Sequence, residues 1–211
     1  MADINTHHAT DLAHHIHQGR AWLSASAEGE NSAMLSYAAL ELRFAIERLG
    51  VHYWATLHYR RSEGRDFRDI ESFRWIEGRI YELGGYQKEI NGHFEFMRLM
   101  LQSLNSDKIL HTPNIGQLSN HWHECSELCH IAWPLKCSAP KLRTRAFRKL
   151  TEISDSLSQH VSSLGWPQLR DATFTDLRNR FVAGNATADD VRAHLETTGL
   201  WPQAPIPPNP A

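Results

Sequence analysis

The spacing of apolar residues predicts one long helix over residues 32–59. Apolar side chains recur here at steps of three and four residues, which is the spacing of one helix face. The residues that follow this spacing are Leu35, Ala38, Leu42, Ala45, Leu49 and Tyr53. Leu40, Phe44 and Val51 form a second apolar flank. Because a helix that is apolar on two sides must be covered on both, we expect it in the middle of a helical bundle.

Similar patterns predict further helices along the rest of the chain. They cover residues 11–27, 69–83, 86–104, 117–133, 141–164 and 173–183, and a capping box at Thr187–Asp190 begins a short helix that ends at 197. No strand-like alternation of useful length is present. The fold class predicted is therefore all-α, with a bundle of five or six main helices and a small C-terminal helical appendage.

The predicted domain division lies near Gly165-Trp166-Pro167, where the long amphipathic pattern of the predicted helix over 141–164 ends. A helical bundle domain is expected over residues 1–165, and a small helical appendage over residues 166–203. Four prolines in the last eight residues predict a mobile tail over 204–211.

Composition and charge narrow the classes of partner. The chain has 211 residues, and 22 Lys and Arg stand against 24 Asp and Glu, so the formal net charge is −2. This balance argues against a strongly basic nucleic-acid coat protein and against a polybasic membrane binder. With no signal peptide, no apolar run of about 20 residues and three cysteines, we expect a cytoplasmic protein with reduced thiols and no membrane partner.

Histidine is the unusual residue, with 14 copies. One cluster lies at the N-terminus and consists of His7, His8, His14, His15 and His17. A metal site is conceivable there, but chain termini are usually mobile and solvated. We therefore favour a solvated cluster and expect neither a metal site nor a cofactor in this chain.

The densest group of reactive residues lies in the predicted helix over 117–133. Helical spacing puts Ser119, His123, Ser126 and His130 on one line, beside an apolar stripe of Leu118, Trp122, Cys125, Cys129 and Ala132. A zinc site could draw on His121, His123, Cys125, Cys129 and His130. Zinc sites usually combine ligand pairs from two separate motifs, however, and no second pair is present.

Two other interpretations of this helix remain open. Ser126 and His130 could act in catalysis or nucleic-acid contact at a dimer cleft, since histidine is a tunable base. Alternatively, the line is structural: a buried His130 bonds a neighbouring helix, and the Ser126 hydroxyl bonds the backbone of its own helix. We favour the structural interpretation.

Basic residues form a candidate contact surface for RNA. Lys141, Arg145 and Arg148 share one face of the predicted helix over 141–164. A run of charged residues usually forms a solvated helix face, which is the interpretation that we favour, and contact with phosphate groups is the alternative. The common motifs for phosphate loops, dinucleotide binding, zinc proteases and serine hydrolases are absent, which removes most support for those enzyme classes.

Two segments resemble the HEPN-like family of small bacterial helical bundles. The run Ala38–Leu49 is similar to the long early helix of that family, and Leu118–His130 is similar to a later core helix. The family signature is an Arg, four to six residues, then a His. Here Arg178-Asn179 has its nearest downstream histidine at His194, and Arg48 and His52 are one residue too close.

The resemblance implies a dimerising helical bundle, and the missing signature implies a catalytically inert one. The function expected is thus a non-enzymatic HEPN-like interaction or assembly module in bacterial defence or stress response, with a second copy or another protein as partner. One alternative is a divergent HEPN-like ribonuclease that acts at a dimer cleft through His130, Ser126 and Arg48, with Arg43 on phosphate. Another is a metal or small-ligand sensor.

Overall fold

A computed structural model describes residues 12–58, 73–130, 139–162, 167, 169 and 171–199. The described residues form eight helices and no strand, which confirms the predicted all-α class. The helices are α1 (Leu12–Ala25), α2 (Ser32–His58), α3 (Phe73–Gly84), α4 (Gln87–Ser103), α5 (Ile115–Cys129), α6 (Pro140–Ser162), α7 (Ala172–Val182) and α8 (Ala188–Thr197). None of them has the combined length and apolar character that a membrane crossing requires.

The chain divides into two compact units. The first contains α1, α2, α3, α5 and α6, and the second contains α4, α7 and α8. This grouping differs from the predicted division at residue 165, which left α4 in the bundle. The physical reason is that α4 packs on α7 and α8: the Phe96 and Phe181 rings lie 5.9 Å apart, and Gly92 lies against Val182. The predicted tail over 204–211 lies outside the described residues.

Helix α2 is the centre of the first unit. It contacts the other four helices of that unit, as its pattern predicts. All the residues of its main apolar face are buried: Leu35, Ala38, Leu42, Ala45, Leu49 and Tyr53. Of the predicted second flank, Phe44 and Val51 are half-buried and Leu40 is exposed, whereas Ala39 and Ile46, which the prediction did not include, are fully buried.

Helices α1 and α2 approach each other closely at Gly19. A Cβ atom added to Gly19 would lie 2.9 Å from Cγ of Leu42, so this position has room only for hydrogen. The turn between the two helices contains Gly29 with a φ of 97°, and a Cβ there would lie 2.9 Å from the carbonyl oxygen of Arg143. These two glycines let α1 pack tightly on α2 and let the turn lie against the start of α6.

Helix α6 completes the first unit by covering α1 and α2. Leu150, Ile153 and Leu157 are buried, and Arg20 of α1 donates hydrogen bonds to Ser154 and Asp155. Against α5, in contrast, α6 makes contact over a short stretch only. The two helices therefore leave a groove between them.

The second unit is built on the apolar face of α4. Ile90, Phe94 and Met97 are buried. The predicted capping box of α8 is present, with the Thr187 hydroxyl accepting from the Asp190 amide at 3.2 Å. His93 is also buried and donates from Nε2 to the Pro167 carbonyl at 2.9 Å. Burial is the main cause that lowers the pKa of His93 to about 4.

Candidate functional site

The helix that carries the predicted site, α5, is fixed by its cap and its apolar stripe. The Asn114 side chain accepts from the Gln117 amide at 2.9 Å and so begins the helix. Leu118, Trp122 and Cys125 are buried as predicted, and α5 packs on α2. The helix ends at Cys129, and His130 already has an extended backbone.

The predictions for the line of polar residues on α5 are confirmed in part. The Ser126 hydroxyl donates to the Trp122 carbonyl at 2.8 Å, which confirms the predicted bond to its own helix. The expectation of a buried His130 was wrong, because the helix ends one residue earlier and His130 leaves the predicted line as an exposed residue. His123 is exposed as well and is bonded to the Tyr81 hydroxyl.

Arg48 does not join Ser126 and His130. The Ser36 hydroxyl donates to the Leu128 carbonyl at 3.2 Å, so the C-terminal end of α5 lies beside Ser36 on α2. Arg48 is twelve residues further along α2, and at 1.5 Å per residue that is about 18 Å. Arg48 instead donates to His15 Nε2 at 3.4 Å, while His15 Nδ1 bonds Glu41 at 2.8 Å.

The residues predicted to contact nucleic acid occupy two different environments. The Arg43 guanidinium donates to Glu47 at 2.9 Å and lies 4.9 Å from the centre of the Trp122 ring, so it is held within the bundle. The predicted face on α6 is instead open to solvent: Lys141, Arg145 and Arg148 are all exposed.

The possible metal ligands are not brought together. Among the described residues, no group of three or more His, Cys, Asp and Glu side chains is arranged to hold a metal ion. On α5, Cys125 points into the core whereas His123 is exposed. Of the N-terminal cluster, His7 and His8 lie outside the described residues, and His15 is buried rather than solvated.

The two described thiols are not activated. Cys125 is fully buried, which raises its pKa well above the usual value. The Cys129 thiol donates to the Ser36 carbonyl at 3.9 Å, and burial raises its pKa to about 11. Because the thiolate is the nucleophilic form, neither cysteine is suited to covalent catalysis at neutral pH.

The groove between α5 and α6 is the candidate binding site, and we name it the α5–α6 groove. Its cavity has a volume of about 320 Å³. The residues that line it are Glu124, Glu127, Leu128, Leu142, Arg145, Ala146 and Lys149. Leu128 and Ala146 are buried and form an apolar floor, while Leu142 remains 41% exposed.

Opposite charges lie on the two walls of this groove. Glu124 and Glu127 belong to α5, whereas Arg145 and Lys149 belong to α6. Lys149 lies 3.4 Å from Glu124 and forms an ion pair with it. Glu127 and Arg145 form no ion pair within the described part of the chain. The groove therefore offers an apolar floor between one unpaired anion and one unpaired cation.

Of the residues that line this groove, only Arg145 was a candidate binding residue on the basis of the sequence. Neither Leu142 nor Glu127 was among the candidate residues that the sequence indicated. Their places in the groove follow from the packing of α6 beside α5, for which the local spacing of the sequence contains no signal. No family model, no curated protein and no solved structure matches the chain.

Proposed function

We propose that this protein is a self-associating, HEPN-like assembly module that works in the bacterial cytoplasm, in defence or stress response, without catalysing a reaction. The two segments that resemble the family lie on α2 and α5, which pack against each other in the first unit. The observation that carries the proposal is the unpaired Glu127 and Arg145 on opposite walls of the α5–α6 groove.

A second copy of the chain is the occupant that this charge pattern fits. In a two-fold dimer, each patch meets its own copy, so residue i contacts j and j contacts i. Glu127 of one copy would then face Arg145 of the other, twice in the same interface. Leu142, exposed at the edge of one groove, would enter the apolar floor of the other. Interfaces of this kind combine an apolar centre with a charged rim.

The first test concerns the apolar contact. We expect Leu142→Arg to convert a dimer to a monomer in sedimentation-velocity experiments, because it buries a charge in the apolar centre of the interface. Leu104→Arg is the matched control, since Leu104 is also an exposed leucine but lies in the second unit. A monomeric wild-type chain, or a dimer that persists in Leu142→Arg, contradicts the proposal.

The second test concerns the charges. Glu127→Arg and Arg145→Glu should each weaken the dimer, since each creates a pair of like charges across the interface. The double variant restores opposite charges in exchanged positions and should recover dimerisation. If the double variant loses as much dimer affinity as the two single variants together, Glu127 and Arg145 do not face each other across a two-fold axis.

RNA binding is a second candidate function, favoured by the exposed face of Lys141, Arg145 and Arg148. The ribonuclease alternative has less support, because the Ser126 hydroxyl is bonded to its own helix and Arg48 lies far along α2. Replacing Arg148 by Glu and measuring the affinity for a single-stranded RNA at several salt concentrations tests the candidate. A phosphate contact requires weaker binding and a smaller salt dependence in the variant.

A further inference from the structure

Unpaired positive charge is concentrated on α6, beside the α5–α6 groove. Residues 140–151 contain five Lys and Arg and no Asp or Glu, although the formal net charge of the chain is −2. Lys141, Arg145 and Arg148 are exposed on one face, and none of them forms an ion pair with a residue that the structure describes. Lys149 differs, because two carboxylates hold it. We name Lys141, Arg145 and Arg148 the α6 basic patch.

Helix formation does not account for the charge of this patch. The N-terminal end of a helix carries a partial positive charge, so Asp and Glu are the residues that stabilise it. Helix α6 begins at Pro140, and its first turn contains Lys141 and no acidic residue. Residues that oppose a local preference are expected at sites where function sets the sequence. A chain of negative charges is the partner that offsets both the patch and this helix end.

Arg145 belongs both to the α6 basic patch and to the α5–α6 groove. On one side of it along the helix surface are Leu142 and Lys149, which line the groove. On the other side are Lys141 and Arg148, which lie four and three residues from Arg145 and are therefore its neighbours on one face. A stable interface covers about 800 Å² on each partner. A second copy seated on the groove therefore covers Arg145 and crowds the rest of the patch.

We propose that single-stranded RNA and a second copy of the chain compete for Arg145, so that RNA binding dissociates the dimer. The competition rests on the proposed self-association, in which Arg145 faces Glu127 of the other copy. A guanidinium binds a carboxylate or a phosphate through the same fork of N–H donors, but only one of them at a time. Lys141 and Arg148 add phosphate contacts in the RNA complex. A flexible single strand carries one phosphate per nucleotide and can place one at each of these cations.

RNA binding and self-association are then linked quantitatively. Each monomer binds one RNA and the dimer binds none. Free RNA therefore multiplies the dissociation constant of the dimer by the square of one plus the ratio of the RNA concentration to the Kd for RNA. When free RNA is at about ten times that Kd, the dimer is weakened about a hundredfold. By the same linkage, the affinity for RNA falls as the protein concentration is raised to the range where the dimer forms.

Sedimentation velocity of the full-length chain tests the competition directly. The probe is an oligouridylate of about 12 nucleotides, added at constant ionic strength to protein at a concentration where the dimer forms. We expect the dimer to be replaced by monomers that each carry one RNA. An RNA-bound dimer, or a dimer that ignores the RNA, overturns the competition. Poly-glutamate of similar charge should leave the dimer intact. If poly-glutamate dissociates the dimer as well as RNA does, or better, the assignment of RNA is wrong.

Three variants separate the shared contact from the contacts that belong to one partner. Arg145→Glu should weaken both the dimer and the RNA complex. Arg148→Glu should weaken only RNA binding, so that its dimer persists when RNA is added. Leu142→Arg should lose the dimer and still bind RNA. Lys88→Glu is the matched control, because Lys88 is an exposed cation of the second unit and its replacement changes the net charge equally. An Arg145→Glu variant that loses only one of the two activities overturns the assignment of Arg145.

Failure of the competition and failure of the proposed assembly function give different results. A wild-type chain that is monomeric without RNA contradicts the assembly function, and the competition with it. A wild-type dimer that Leu142→Arg dissociates, but that binds RNA and remains a dimer, contradicts the competition alone. Both measurements use the same instrument and the same protein preparation, and they differ only in whether the oligouridylate is present.

Discussion

The indole Nε1–H of Trp122 donates a buried hydrogen bond of 3.0 Å to Oε1 of Glu47. The same oxygen accepts from Arg43 Nε at 2.9 Å, and the guanidinium lies over the Trp122 ring. Glu47 is only 6% exposed. A buried carboxylate is tolerated here because two donors share it, and the three side chains join α5 to α2.

Glu47→Ala should destabilise the first unit by about 3 kcal/mol, because it removes the buried carboxylate that accepts from the Trp122 N–H and pairs with the half-buried Arg43 guanidinium. Urea unfolding measures this change in the free energy of unfolding. Glu95→Ala is the control, since Glu95 is exposed on α4 and should change stability by no more than about 0.5 kcal/mol. Similar losses in the two variants would show that the bonds to Glu47 contribute little.

Two helical glycines should respond to alanine in opposite directions. Gly19→Ala places a methyl group 2.9 Å from Cγ of Leu42, and such overpacking costs about 1–3 kcal/mol. Gly78 in α3 has nothing within 4 Å of its added Cβ. There, alanine should stabilise by up to about 1 kcal/mol through its helix propensity. Thermal unfolding should thus give a lower Tm for Gly19→Ala and a higher one for Gly78→Ala. A higher Tm in both would mean that α1 and α2 are less tightly packed at this point.

Acid should weaken the second unit through His93. Its pKa is about 4 in the folded chain against 6.5 as the ordinary value, so the unfolded chain binds the proton more tightly. The contribution of neutral His93 is complete above pH 6.5 and is lost as the pH falls toward 4. The loss over that range reaches about 3 kcal/mol at 1.36 kcal/mol per unit of pKa.

His93→Gln separates this effect from other acid-sensitive groups. Glutamine does not titrate, and its amide can still donate to the Pro167 carbonyl that His93 bonds at 2.9 Å. Subtracting the free energy of unfolding of the variant from that of wild type gives a difference that should fall as the pH is lowered from 7 to 4, because only wild type contains the titrating ring. A difference that stays constant over this range contradicts a lowered pKa of His93.

The helices could be predicted from the sequence because the residues that a helix buries on one face recur at steps of three and four positions. The main face of α2, the buried positions Leu118, Trp122 and Cys125 of α5 and the capping box of α8 all followed from spacing alone. The grouping of α4 with α7 and α8 did not, because a period shows which side chains face inward and not which helix covers them. A similar error occurs within α2 at Leu40, which was predicted to lie on an apolar flank that is covered but is exposed.

The candidate sites were harder to predict, since they depend on where helices diverge. Ser126 was correctly interpreted because its bond is local to one helix. His130 was not, because one residue at a helix end decided its exposure. Glu127 and Leu142 line the same groove only because α5 packs beside α6, and local spacing contains no signal for that packing.

The sealed thiol of Cys125 gives the chain an internal kinetic probe. Cys125 lies fully buried on the face of α5 that includes Trp122, and it becomes accessible to an alkylating reagent only when α5 separates from its neighbours. At high reagent concentration, its labelling rate is then the rate at which that separation occurs. A second copy bound in the α5–α6 groove, on the same helix, should slow this labelling. Self-association could thus be followed as a change in the lifetime of the closed bundle, without any substitution in the protein.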